Sequence, residues 1–351
     1  VRTLSFLPWA HSYGQTGELN VVMRLGGSTG FAESPQTIVD DIAVVKPNFL
    51  VAVPRVFNRI YDGLCARMNE TGGLAKQLFD MGVSAGRHRR ELLKEGKKSA
   101  LTELKFKIAD KIVFAKIRER FGGQLAQCVS SSAALSPVIA EFFFDLGIPI
   151  YEAWGMTEIS PAGSMNSPEA YKIGSCGRAI DKVTLHIDRS VIEDDPNGRE
   201  GELIVYGPNV MKGYLKNPDL NSIAFVNGWF RTGDIGSIDP EGFLQISGRI
   251  KELINRGGEK ISPFEIEAVL SKHPDVLEAV AFAVAHPRLG EDVGAAVILR
   301  PGATVAAGEF RRFMGEQLSW NKVPRRVHIV ESIPRGGGGK VLRNKLRELY
   351  S

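Results

Sequence analysis

Between residues 1 and 60, short apolar runs (LSFLPW, ELNVVMRL, FLVAVP) alternate with Gly, Pro and Asp turns. Runs of that length, broken by turn residues, predict the strands and helices of an α/β sheet. From 62 to 121 the pattern becomes long, charged and free of proline. There LTELKFKIADKIVFAKIRERF predicts an amphipathic helix, apolar at Leu104, Ile108, Ile112, Phe114 and Ala115. From 125 to 150 the earlier rhythm returns as a strand (LAQCVSS), a small-residue turn, a helix (SPVIAEFFFDLG) and a strand (IPIYEAW). Residues 177–247 read as β-rich, with turn signals at Asp195-Pro196-Asn197-Gly198, Asn227-Gly228 and Asp239-Pro240-Glu241-Gly242. Beyond Gly248 the pattern predicts helix 263–273, strands 276–285 and 292–299, helix 308–318, strand 326–331 and a terminal helix over 341–350. The predicted class is α/β. Residues 1–248 read as the remainder of a large N-terminal α/β domain, sheet layers plus a β-rich subdomain. Residues 249–351 read as a small C-terminal α+β domain.

Composition changes this picture little. The chain has 351 residues, 43% of them hydrophobic and 24% charged, as in an ordinary soluble enzyme. No apolar run approaches the ~18 residues of a membrane span. A net charge of +4 is too small to argue for nucleic acid. Cys65, Cys128 and Cys176 are far apart and form no CxxC pair, which disfavours a disulfide framework or a zinc site. A reducing, cytoplasmic setting is the expectation. The basic excess of the helical stretch (Arg87, Arg89, Arg90, Lys94, Lys97, Lys98) suits either a solvated face or peripheral contact with anionic lipid, and the solvated face is the reading taken. The chain opens at Val1 on what reads as a buried strand, with no signal peptide, so it is expected to be a fragment.

Candidate chemistry gathers in a few segments. The stretch 228–267, GWFRTGDIGSIDPEGFLQISGRIKELINRGGEKISPFEIE, carries acidic and basic strand ends and a glycine loop running straight into a helix. That suits a polyhydroxylated, phosphorylated ligand. Asp234 and Arg249 would grip a ribose, or pair with each other at the surface. Tyr151-Glu152-Ala153-Trp154-Gly155-Met156-Thr157-Glu158 follows an apolar strand, where α/β enzymes bind ligands. Trp154 suits a purine, Thr157 a phosphate and Glu158 a Mg²⁺ ion; a buried Trp and a capping Thr-Glu pair explain the same residues. The small-residue loop Ser130-Ser131-Ser132-Ala133-Ala134 lets backbone approach a flat ring, or simply packs. Lys340 ends Arg335-Gly336-Gly337-Gly338-Gly339-Lys340, either a lysine that swings into a site or a surface turn. With Pro334 and Val341 at the diagnostic positions it is no Walker loop, and Gly26-Gly27-Ser28-Thr29-Gly30 reads as a strand-to-strand turn. The histidines form no metal motif, and no Gly-x-Ser-x-Gly elbow occurs. His11, in a loop after a strand, is the histidine placed nearest a site.

Together and in order, LPWAH, WGMTE, GELIVYGPNVMKGY, GWFRTGD, GRIKELINRGGEKISPFEIE and PRGGGGK resemble the acyl-adenylate-forming superfamily, which includes acyl-CoA synthetases. FLPWAH, NFLVAVPRVFNRIYDGL and the helical insert look most like long-chain fatty acyl-CoA synthetases; the tail from Gly248 looks closer to ligases of medium and small acids. The resemblance implies ATP, Mg²⁺ and CoA as cosubstrates and cofactor, with a fatty or other carboxylic acid as partner. It implies that Trp154 stacks on adenine beside the backbone of Glu152, Ala153 and Gly155, with Ser132 and Ala133 nearby. Thr157 would meet the α-phosphate, Glu158 would hold Mg²⁺, and Asp234 and Arg249 would hold the ribose. Lys340 would assist adenylation, Lys251 would be the hinge, and Gly257, Gly258 and Lys260 would meet the pantetheine arm of CoA. The family's phosphate loop, ending in Pro-Lys-Gly upstream of LPWAH, is not in this sequence, so the chain alone is expected to adenylate poorly. A short- or aryl-acid ligase, and a silent nucleotide- or acyl-CoA-binding fragment, are the alternatives.

Overall fold

The computed structural model describes residues 1–34, 36–191, 199–336 and 341–350. Lys340, the glycines 337–339 and the turn signal at 195–198 lie outside them. The described chain is a mixed α/β fold that groups into two compact units. One is 1–181 with 209–211; the other is 182–208 with 212–351.

In the first unit, β1 (Arg2–Ser5) pairs in parallel with β2 (Ser28–Phe31). A second sheet runs β3 (Phe49–Ala52), β4 (Gln127–Ser130), β5 (Ile150–Gly155), β6 (Ala162–Met165) and β7 (Arg178–Ala179). Its first three strands are parallel, so their carboxyl ends share one edge; β6 and β7 continue it antiparallel. Helices α1 (Ile38–Val45), α2 (Pro54–Thr71), α3 (Gly73–Lys94), α4 (Ala100–Ala109), α5 (Ala115–Arg120) and α6 (Pro137–Asp145) cover it. Pro54 and Pro137 open their helices, where a missing N–H costs nothing. Gly72 stops α2 at φ +59° and lets α3 start at once. The core is aromatic: Phe57 meets Phe143 edge-on at 5.6 Å, and Phe142 meets Phe143 at 5.6 Å and 89°.

The long helical segment corrects one sequence expectation. Its packed side is Thr102, Ala109, Val113, Phe114 and Ile117, while Leu104, Ile108 and Ile112 face out. Gly82 of α3 fixes that choice. A Cβ there would lie 2.7 Å from the Ala109 methyl and 2.9 Å from the Phe114 ring, so only glycine lets α3 close on that side. Arg90, read as surface charge, is largely buried and pairs with Glu141 and Asp145, while Arg89 pairs with Glu103 at the surface. The glycines at 26 and 27 join the helical turn Val21–Arg24 to β2, so they link helix to strand rather than strand to strand. Gly26 sits at φ +61° with open space where a Cβ would stand.

The second unit holds two sheets. One is antiparallel, built of β8 (Thr184–Asp188), β9 (Gly201–Tyr206), β10 (Phe225–Val226), β11 (Trp229–Ile238) and β12 (Leu244–Arg249). Helix α7 (Pro218–Ala224) leads into β10, and the Asn227-Gly228 turn, both residues at positive φ, closes the β10–β11 hairpin. The other sheet has β13 (Ile254–Arg256), β14 (Glu259–Ile261), β15 (Val276–His286), β16 (Gly290–Leu299) and β17 (Arg326–Ile329). Helices α8 (Pro263–Leu270), α9 (Ala307–Gly315) and α10 (Arg343–Tyr350) accompany it. Strand β15 is a near-continuous apolar run because both its faces are buried: Ala279 and Ala281 join the core with Phe310 and Met314, Val280 and Phe282 the core with Leu346.

Candidate functional site

The loop after β1 is organised by one buried acid. Glu18 accepts from the Ser5 hydroxyl at 2.5 Å, the Phe6 amide at 3.2 Å, the Leu7 amide at 3.2 Å and the Trp9 indole N–H at 3.3 Å. Burial pushes its carboxyl up, and these donors pull it back in part. The loop then reaches the sheet edge. The Tyr13 hydroxyl lies 3.0 Å from the carbonyl of Ala52 and 3.2 Å from that of Val129, at the ends of β3 and β4. His11 is exposed and caps the following turn, its Nδ1 accepting from the Tyr13 amide at 3.2 Å. Ser12 brings the loop to the next motif, its Oγ 3.3 Å from Oγ1 of Thr157.

At the same edge Ser132 and Ala133 are exposed on the loop after β4, with Ser132 at φ +76°. Strand β5 carries Glu152, Ala153, Trp154 and Gly155; a short helical turn, Thr157–Ile159, follows. Ala153 pairs with Met165 and Gly155 with Ala162 across to β6. Trp154 is 7% exposed and seated on Gly163, where a Cβ would stand 2.4 Å from the indole. Gly155 is equally constrained, since a Cβ would fall 1.7 Å from the Pro161 carbonyl oxygen. Thr157 is exposed, and the carbonyl of Glu158 accepts from the Met211 amide at 2.8 Å.

Glu152 does more than the sequence suggested for it. Its side chain is buried and spans two loops, Oε2 accepting from the Leu135 amide at 3.4 Å and Oε1 from the Gly174 amide at 3.3 Å. Burial, opposed by those two amides, pushes its pKa up to about 7 from 4.5. Between these values the folded chain holds a proton that the unfolded chain has released, so its contribution to stability falls as pH rises through that window. Replacing Glu152 by Gln should therefore raise Tm relative to wild type progressively between pH 4.5 and 7, then level off. A Tm difference constant across that range would refute the linkage.

In the second unit, β11 and β12 place Asp234 and Arg249 directly opposite, with Arg249 Nε 2.9 Å from Asp234 Oδ1. The acid is 5% exposed and the base 40%, so the pair stands half in solvent. The ion pair weighed as an alternative to ribose binding is therefore present. Lys251 is exposed on the turn Ile250–Glu252 that follows β12. Gly257 and Gly258, at φ +62° and +100°, turn the β13–β14 hairpin, and Lys260 stands exposed on β14. A strand thus separates the glycines from α8, correcting the expectation that the loop runs straight into the helix.

A cleft of 410 Å³ in this unit escaped sequence reasoning. Arg256, His286, Arg288, Arg311, Arg325 and Trp320 line it. Arg256 Nε lies 2.7 Å from Asp292 Oδ1, and its guanidinium sits 5.0 Å from the centre of the Trp320 ring. Burial pushes the Asp292 carboxyl up, but the bonds from Arg256 and the Val293 amide and the attraction of Arg256 outweigh it, leaving it below the usual range. The glycine turn is tied to the cleft wall, since the Gly257 amide donates to the carbonyl of Leu289, a lining residue, at 2.9 Å.

Comparison with known proteins decides the family. The family described as AMP-binding enzyme matches residues 1–215, and its C-terminal domain matches 265–340. The chain belongs to the AMP-binding enzyme family. An oxalate–CoA ligase of Arabidopsis thaliana is 44% identical over 218 residues, 61% of this chain and 42% of that protein. A long-chain-fatty-acid–CoA ligase of Mycobacterium bovis is 32% identical over 290 residues, 82% of this chain and 46% of that protein. The crystal structure of ATP-bound MatB from Rhodopseudomonas palustris superposes with a TM-score of 0.76 at 27% identity, covering 99% of this chain and 60% of that one. The chain thus spans about half the length of the curated relatives it matches.

In this member of the AMP-binding enzyme family no group of three or more His, Cys, Asp or Glu side chains could hold an ion among the described residues. The donors at the edge of β5 are one carboxylate, Glu158, and the Ser12 and Thr157 hydroxyls. That set fits Mg²⁺, which keeps several waters and is shared with phosphate oxygens rather than caged by protein. No helix is long and apolar enough to cross a membrane among the described residues.

Proposed function

We propose that the protein carrying this chain is an ATP-dependent acid–CoA ligase. A substrate carboxylate oxygen attacks the α-phosphorus of ATP, the bond to pyrophosphate breaks, and an acyl-adenylate forms. The sulfur of CoA then attacks the acyl carbon, the bond to AMP breaks, and the thiol proton passes to solvent. The observation that carries this reading is the meeting of the β1 and β5 loops at Ser12 and Thr157, beside the small-residue loop after β4, in a member of this family.

Thr157 would donate to the α-phosphate and Glu158 would hold Mg²⁺, which offsets charge on the phosphates when bound. His11, in the same loop cluster, would lie near the reacting groups. Trp154 and the backbone of Glu152, Ala153 and Gly155 would form the purine side, with Ser132 and Ala133 against the ring. Asp234 and Arg249 would hold the ribose. Residues 1–248 and 249–351 would move as two domains about Lys251, exchanging Lys340 for the turn at Gly257, Gly258 and Lys260. The cationic cleft beside that turn suits the phosphorylated nucleotide end of CoA, with four arginines for phosphates and Trp320 for a ring.

The acid is read as a long-chain fatty acid. In support, the match to the long-chain ligase runs over 82% of the chain, whereas that to the oxalate ligase runs over 61%. The test uses the enzyme extended to the length of its relatives, with AMP release scored across acids of graded length. Lys340→Ala should lower acid-dependent pyrophosphate exchange by at least ~100-fold while sparing thioester formation from supplied acyl-AMP. Equal loss of both half-reactions would sink the domain exchange, and no acid-dependent exchange in the parent enzyme would sink the ligase reading.

A further inference from the structure

Helix α4 and the π-turn that continues it (Asp110–Phe114) are apolar on two sides. One side packs against α3 through Ala109, Val113 and Phe114. The other presents Leu101, Leu104, Ile108 and Ile112, which are 62%, 56%, 39% and 44% exposed. Spaced by three or four residues, they form one outward stripe ~16 Å long. Exposed Lys98, Lys105, Lys107, Lys111 and Lys116 flank it. The acids of this stretch are largely neutralised: Glu103 is held by Arg89, Asp110 by Arg118 and Glu95 by Lys97, while Glu119 stands exposed at the far end.

We propose that this stripe docks on an anionic lipid surface, with its leucines and isoleucines entering the boundary between headgroups and acyl chains and its lysines meeting lipid phosphates. The charge pattern selects that occupant. A convex apolar ridge rimmed by unneutralised lysines is complementary to a negatively charged plane. A second copy would set lysine rows against lysine rows. The inference stands on this surface alone and is independent of the ligase reading.

Flotation of the 351-residue chain with phosphatidylglycerol-rich vesicles tests it, with phosphatidylcholine vesicles as the comparison. Binding should favour the anionic vesicles and weaken as salt rises. Each lysine near the surface is worth about fivefold, so Lys105→Glu with Lys111→Glu should weaken binding on the order of 20-fold or more. Leu104→Ser with Ile108→Ser should weaken it at least ~10-fold. All four side chains are exposed, so both variants should keep the wild-type melting curve, which serves as the folding control. No binding, equal binding to neutral vesicles, or full binding by either variant overturns the proposal. So does a dimer in light scattering that Leu104→Ser abolishes, because a second copy would then own the stripe.

Discussion

Replacing Gly155 by Ala is expected to cost the first unit about 3 kcal/mol of stability, the upper end for one added methyl. The added methyl would stand 1.7 Å from the Pro161 carbonyl oxygen, 2.7 Å from the Pro161 carbonyl carbon and 2.9 Å from the Ala162 Cα. All three atoms are backbone, and no side-chain rotation relieves them. The strand must separate from β6 just where the Gly155–Ala162 pairing closes. Gly63→Ala is the matched control. It lies within α2 with nothing inside 4 Å of the new Cβ, so it should be neutral or stabilise by up to ~1 kcal/mol. Urea unfolding of the two variants checks the pair. Equal midpoints would show that β5 and β6 yield more easily than their geometry implies.

Asp234→Ala is expected to raise the KM for ATP about 10- to 100-fold in the enzyme extended to the length of its relatives, the worth of hydrogen bonds to a charged group. The same substitution should lower Tm modestly, because a buried carboxylate and its bonds are lost. Its partner Arg249 is 40% exposed and can return to water, so the arginine is not left stranded in the interior. A large Tm loss with unchanged ATP dependence would mark Asp234 and Arg249 as a structural pair and remove them from the ribose.

What the sequence made legible was local. Strands β4 and β5 and helix α6 fall where apolar runs and Ser136-Pro137 place them, because turn residues and an N1 proline act within a few positions. The facing of α4 was not legible, since Leu104 and Phe114 are equally apolar. What chose between their sides was the missing Cβ of Gly82, in another helix. The motif loops could be named from sequence, but their meeting at Ser12 and Thr157, 145 positions apart, depends on Tyr13 seating the β1 loop on carbonyls of β3 and β4. The cationic cleft was not legible, because Arg288, Arg311 and Arg325 lie outside every motif, and the one motif arginine, Arg256, gives no sign of the partners that join it. Glu152 was read for its backbone; its side chain ties amides 17 and 22 residues away, a role no spacing rule reports.

The loop after β1 has a further consequence for inheritance. Its shape is held by Glu18, which gathers donors from Ser5, Phe6, Leu7 and Trp9. Ser5 and Glu18 are thus one mutational unit, although only Ser5 adjoins the FLPWAH segment. A transplanted FLPWAH segment without that acid would carry the letters and lose the conformation. Grafting, recombination breakpoints and library design on this chain should keep residues 5 through 18 together as a single block.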